Sequence, residues 1–226
     1  RYGEVVRMGL PTSLEDMLWN IGNLFLISFL NRLDPLAAAV YGIVFTIEIL
    51  PIVMFMSLGQ GTTILAGRAK GAGDSRRIRA AVVTAQIVAW IASGLTVLVF
   101  LGFGQALAGV FTSDSKVLER VLPILLVSCL TFFPRSVNFM AGSGIRGFGD
   151  TRWMLATQVF GTAFIVVLGH LLILDLGHGV IGLFAAMCID ELVRAVANGV
   201  RFTRLTRSTT PSTTAPRIDG AIAEEA

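Results

Sequence analysis

Charge is scarce in this chain: 15% of its 226 residues are Asp, Glu, Lys or Arg, against about 25% in a typical soluble domain. That shortage, with 54% hydrophobic residues and a mean hydropathy of +0.75, excludes an ordinary soluble globule. Cysteine is also rare. Cys129 and Cys188 fall inside apolar runs, which excludes a disulfide framework or a zinc cluster and leaves packing as their role. Ten-residue segments of alternating polarity are missing, so a membrane β-barrel is excluded. Lipid cannot satisfy an open backbone, and the α-helix is the remaining way across.

Several chemical signatures are lacking as well. Gly142-Ser-Gly144-Ile-Arg-Gly147 matches a dinucleotide-binding string, but it ends an apolar run instead of joining a strand to a helix. His170 and His178 flank Asp175 at the end of another run, where wetted histidines need no metal. No nucleophile with an adjacent base stands out among the apolar runs, which argues against a membrane enzyme. No secretory signal is visible, and the chain opens on Arg1; we read it as a piece of a longer polypeptide. The net charge of +3 comes from cations at the ends of apolar runs, not from one basic face, so no nucleic-acid partner is expected.

What is present is a series of six apolar runs, each near the roughly 20 residues that cross a hydrocarbon core as a helix. They cover about residues 10–30, 36–67, 80–102, 117–141, 154–174 and 180–200. The second is longer than a span needs and holds Pro51, so a kink or tilt is expected there. Residues 1–9 form a lead-in, 10–204 the six-helix transmembrane unit, and 205–226 a Ser/Thr/Pro-rich tail expected to be disordered. The fold class is all-α, a polytopic membrane protein in a lipid bilayer. Glycines such as Gly59, Gly61, Gly67 and Gly71 are expected at close helix contacts.

Orientation follows from Lys and Arg, which resist translocation when they lie close to a span. The segment Arg68-Ala-Lys-Gly-Ala-Gly-Asp-Ser-Arg-Arg-Ile-Arg79 is the densest basic stretch between two runs. On its side of the membrane lie also Arg146, Arg152, Arg201, Arg204 and Arg207, whereas the other side has Arg32, Lys116 and Arg120. Both termini are therefore expected on the cytoplasmic side of the cell membrane.

Ionisable groups inside spans cost at least about 2.5 to 3.5 kcal/mol on insertion scales, so they normally face a cavity or a partner. Glu15 and Asp16 lie in the first run, Glu48 in the second, Arg135 in the fourth, and Asp190, Glu191 and Arg194 in the sixth. Asp190 and Arg194 are one helical turn apart and can pair, with Glu191 a second candidate for the same arginine, so these three are expected to be structural. Glu15 is close enough to a span end to reach headgroup water, and Asp16 to face the interface. Glu48, three residues before Pro51 and without a cation nearby in sequence, is the leading candidate for a protonatable coupling group, with Arg135 its distant partner.

Four segments in order then resemble a known family: Gly9-Leu-Pro11-Thr-Ser-Leu-Glu15, Leu36-Ala-Ala-Ala39, Gly67-Arg-Ala-Lys-Gly71-Ala-Gly-Asp74 and Gly144-Ile-Arg-Gly147-Phe-Gly-Asp150-Thr151. They look like the multidrug and toxic compound extrusion (MATE) transporters over about residues 9–202, and Asp190-x-x-x-Arg194 resembles the DinF-like branch. The resemblance implies one six-helix lobe, the C-terminal one, of a two-lobe transporter. Its partner would be a missing N-terminal six-helix lobe or a second copy. It further implies efflux of small organic, often cationic, compounds in exchange for H⁺ or Na⁺ by alternating access, with no other cofactor. Glu15 takes the place of the first-helix glutamate of the Pro-x-x-x-Glu motif. Where NorM-like members carry a second glutamate this chain has Asn20, and where they carry an aspartate in the fourth span it has Asn138 and Arg135. The coupling or cavity candidates are thus Glu48, Glu15, Asn20 and Arg135. Two alternatives stand beside this: a lipid-linked sugar flippase of the same superfamily, which would need more cavity cations, and a non-transporting membrane scaffold, for which intramembrane carboxylates would be needless cost.

The orientation is tested with single cysteines in place of Ser75 and Ser208: an impermeant thiol reagent should label both from the cytoplasmic side only. Labelling of either from outside reverses the topology.

Overall fold

The computed structural model describes residues 2–208, and within them every regular element is helical. Helix α1 spans Tyr2–Leu33, α2 Pro35–Gly71, α3 Ser75–Gly109, α4 Ser115–Ser128, α5 Phe132–Gly147, α6 Thr151–His170 and α7 Gly179–Ser208. A 3₁₀ turn at Cys129–Thr131 joins α4 to α5, and a π turn at Leu171–Asp175 extends α6. Six long helical spans result, one for each apolar run, and each outlasts its run because the polar ends continue the helix. Most of the expected tail lies outside the described residues; 205–208 continue α7.

By length and composition, four spans are apolar enough to cross a membrane: Leu36–Gly71, Ser75–Gly109, Ser115–Gly147 and Thr151–Asp175. The helices α1 and α7 fall short because polar groups interrupt them, Glu15, Asp16, Asn20 and Asn23 in one and Asp190, Glu191 and Arg194 in the other. Those two helices carry most of the site described below. By contrast α3 turns Ile87, Val88, Ile91, Leu95 and Leu98 outward, the apolar surface a helix presents to lipid.

Aspartates start four of the helices. Asp34, Asp74, Asp114 and Asp150 each accept a hydrogen bond from a backbone N–H of the first turn, satisfying a donor that the helix itself leaves free. Two of these aspartates follow a glycine in the left-handed region, Gly73 at φ +70° and Gly149 at φ +78°, where a side chain would be strained. The two resembling glycine-aspartate segments thus fold into the same reverse turn. In both, the glycine N–H bonds the carbonyl three residues back, Lys70 or Arg146, and the aspartate N–H bonds that of Ala69 or Ile145. The turns also touch: the Lys70 ammonium donates to the Phe148 carbonyl.

The central helix is α5, packed against α2, α3 and α7, while α1 lies along α6. Its glycines make this possible. A Cβ on Gly147 would collide with Ala66 of α2, and one on Gly144 with Phe202 and Val82. Of the glycines expected at close contacts, Gly59 meets Ser143, but Gly61, Gly67 and Gly71 have open space around them. Small residues were needed on α5, not along the end of α2. The core beneath is aromatic and aliphatic, with Phe55, Phe132, Phe184, Leu26, Leu30 and Leu125 fully buried.

Gly147→Ala should therefore push α5 off α2 and destabilise the helical unit by about 1–3 kcal/mol, the usual cost of overpacking. Gly67→Ala, in open space, should be neutral or slightly stabilising. Thermal unfolding of the detergent-solubilised variants checks the contrast, and equal midpoints would remove the close-contact explanation.

Candidate functional site

The site is built from the break in the fourth span. Pro134 has no N–H to offer, and its ring crowds the carbonyl four residues back. The helix accordingly ends at Ser128 and restarts at Phe132, and the Leu130 carbonyl is met by the Cys188 thiol at 3.8 Å. Pro51, in contrast, sits inside an uninterrupted α2.

Restarting α5 at this level sets Arg135, buried, between α2 and α7. Its Nη1 is 3.6 Å from Glu48 Oε2 and its Nε 3.2 Å from Glu191 Oε1. Glu191 is shared in turn. Its Oε2 accepts from Asn138 at 2.9 Å, and its Oε1 lies 3.7 Å from Arg194 Nη2. Arg194 holds Asp190 Oδ2 at 2.5 Å and donates from Nη1 to Gln158 Oε1 at 2.9 Å. Two amide links continue outward, Asn198 to Asn138 at 2.6 Å and Trp153 Nε1 to Asn198 at 2.9 Å. On α6, Gln158 donates to Thr162 and Thr162 to the Leu18 carbonyl of α1. One polar network thus ties α1, α2, α5, α6 and α7 together.

A cavity of about 440 Å³ opens beside this network, within the size range of small-molecule sites. Its polar wall includes Glu15, Asp16, Arg135, Asp190, Glu191 and Arg194, and Trp19, Phe45, Met56 and Met187 supply apolar wall. Arg146 and Asn20 also line it. Glu15 does not reach headgroup water as its place near a span end suggested: it is 4% exposed and ion-paired with Arg146 of α5. Asp16 is exposed and faces the cavity.

Of the sequence candidates, the fold brings Glu15, Asn20 and Arg135 to the cavity wall, and with them Asp190, Glu191 and Arg194. Glu48 is not on that wall; it lies behind Arg135, 1% exposed. Sequence reasoning assigned Arg146 to the topology cations and passed over Gln158, Asn198 and Trp153. Arg146 pairs across 131 residues, a separation at which no local spacing rule applies. No cluster of His, Cys, Asp and Glu suited to a metal occurs among the described residues; His170 instead meets Asp175 at 3.3 Å.

The MatE family model matches residues 11–171. A "Probable multidrug resistance protein NorM" from Xanthomonas axonopodis pv. citri is 27% identical over 215 residues, covering 94% of this chain and 46% of that protein. The chain thus spans about half the length of the curated relatives it matches. Among solved structures, an "outward-facing conformation of a multidrug resistance MATE family transporter of the MOP superfamily" matches with a TM-score of 0.82 at 22% identity, over 93% of this chain and 48% of that one. An "inward-facing conformation" of such a transporter matches with a TM-score of 0.81 at 20% identity, over 92% and 49%. At these identities the likeness shows the fold.

The shared arginine makes a stability prediction. Arg135→Met leaves Glu48 and Glu191 without their common counter-charge and should cost about 3–5 kcal/mol, as for a buried pair broken on one side. The double variant Arg135→Met with Glu48→Gln should recover part of that loss. Chemical or thermal unfolding in detergent measures both, and an additive loss would mean that the two groups do not interact.

Proposed function

The chain belongs to the MatE family, and from that premise we propose that it forms one six-helix lobe of a secondary transporter that exports small organic cations in exchange for H⁺ or Na⁺. The cavity carries the reading. Its wall combines apolar and aromatic surface with four carboxylates, Glu15, Asp16, Asp190 and Glu191, against three guanidiniums, Arg135, Arg146 and Arg194. Such a surface attracts a lipophilic cation: aromatic and thioether groups take its apolar body and the acid excess its charge. An anionic lipid-linked sugar would meet repulsion there.

The second lobe is an upstream six-helix segment or a second copy of this chain, and substrate sits between the two. Alternating access then amounts to rocking of lobes that keep their internal packing. Agreement with this comes from the near-equal likeness of the chain to outward-facing and inward-facing structures, at TM-scores of 0.82 and 0.81. The network through five helices suits a lobe that moves as one body. In the cell membrane, both termini are on the cytoplasmic side.

The test is accumulation of a fluorescent lipophilic monocation such as ethidium in bacteria lacking their own multidrug pumps. Cells expressing the chain with its second lobe should accumulate less dye, and collapse of the proton gradient or removal of sodium should abolish the difference. The chain held strictly monomeric should give no efflux. Vectorial efflux by that monomer would overturn the two-lobe mechanism, and efflux indifferent to both gradients would overturn exchange.

A further inference from the structure

The buried charges do not balance. Among the described residues, four carboxylates are buried, Glu15, Glu48, Asp190 and Glu191. Glu15 has its own partner in Arg146. The other three share two guanidiniums: Arg135 serves Glu48 and Glu191, and Arg194 serves Asp190 and Glu191. Three acids against two cations leave one negative charge without a counter-charge in a setting where an uncompensated ion is costly.

The fold also says which acid is free to meet an incoming charge. Both oxygens of Glu191 are engaged, one by Arg135 and the other by Asn138. Glu48 is sealed behind Arg135 and off the cavity wall. Glu15 Oε1, Glu48 Oε1 and Asp190 Oδ1 all lack a hydrogen-bond partner; of the three acids that share two guanidiniums, Asp190 combines such an oxygen with a place on the cavity wall, its side chain 2% exposed. Beside that oxygen α6 carries Gly161, where a Cβ would come within 3.0 Å of Asp190 Oδ1 and 2.8 Å of Arg194 Cδ. With no side chain at 161, the Asp190–Arg194 pair packs directly against the α6 backbone, Arg194 Nε included.

We propose that Asp190 holds one exchangeable monovalent positive charge, a proton or a sodium ion, at its unpartnered Oδ1, where the Asp190–Arg194 pair packs against Gly161. Oδ2 stays on Arg194, so that binding and release occur at one oxygen while the other keeps the carboxylate in place. The charged groups that face it are Glu15 and Asp16 of α1, Glu48 of α2, Arg135 and Arg146 of α5, and Glu191 and Arg194 of α7 itself; α6 presents Gln158 and Gly161. The proposal deepens the transport reading and rests on it for what the exchange drives. The charge deficit rests on the geometry alone.

The experiment is infrared difference spectroscopy of the full chain in liposomes between acidic and alkaline buffers, following the C=O stretch of a buried protonated carboxyl. A second arm exchanges sodium for choline at fixed ionic strength. Wild type should show a titrating band, competed by sodium if the site takes the metal ion and indifferent to it if the site takes only a proton. Asp190→Asn should abolish the band. Glu48→Gln should keep it but weaken the site at least about tenfold, or 1 pH unit, because two acids then match two guanidiniums. Glu15→Gln, which leaves Arg146 unpaired in the same cavity, should likewise keep the band. A band that survives Asp190→Asn, or is abolished by Glu48→Gln, overturns the assignment, as does the absence of both a titrating band and a sodium effect. Should Asp190→Asn fail to fold, Gly161→Ala keeps every charge while pressing a methyl group against Oδ1 and Arg194, and an unmoved midpoint there overturns the proposal. Transport is not read in this experiment, so an error in the substrate or the second lobe leaves its outcome untouched.

Discussion

Everything in this lobe is arranged around the sharing of two arginines by three carboxylates inside a bundle that faces lipid. Away from water an isolated charge is costly, and a paired one is tolerable only while its geometry is held. Glu48, Arg135, Glu191, Arg194 and Asp190 satisfy that condition jointly, across α2, α5 and α7. Displacing any of these helices would expose or orphan a charge. The network therefore restrains helix positions in a way that apolar packing between lipid-bathed helices, with little hydrophobic drive of its own, does not.

Two further devices serve the same end. Glycines on α5 and α6 let the helices come close enough for the side chains to meet: Gly144 and Gly147 bring α5 against α2, α3 and α7, and Gly161 admits the Asp190–Arg194 pair. At the basic end, the twin glycine-aspartate turns fix α2 to α3 and α5 to α6 in the same manner and are joined through Lys70. Asp150 there also takes Arg201, whose guanidinium lies 5.1 Å from the centre of the Trp153 ring. A unit closed at its end and cross-linked through its middle is suited to moving as a body, with its chemistry confined to the cavity wall.

The proline that breaks the fourth span gives the restraint its location. Without an N–H at 134, the Leu130 carbonyl has no intrahelical donor. The break at Cys129–Thr131 resets the helix just before Arg135, and the side chain that follows is the one shared by Glu48 and Glu191. The apolar cost of such polarity in α1 and α7 is visible in composition, since those two spans lack the hydropathy of the other four.

The amino-acid sequence by itself determined the helical class and the six spans, because both depend on the polarity of residues close along the chain. It also determined that ionisable groups lie at bilayer depth, and it carried the Asp190–Arg194 pair, four residues apart on one helix face. Tertiary structure alone decided the rest. Arg146 turns inward to Glu15 over 131 residues, Glu48 finds its cation on α5 and is shut away from the cavity, and Asp190 keeps a free oxygen on the wall. Spacing rules describe neighbours along one helix. Which acids share which arginine, and which are left one charge short, depends on how α1, α2, α5, α6 and α7 close around a common volume.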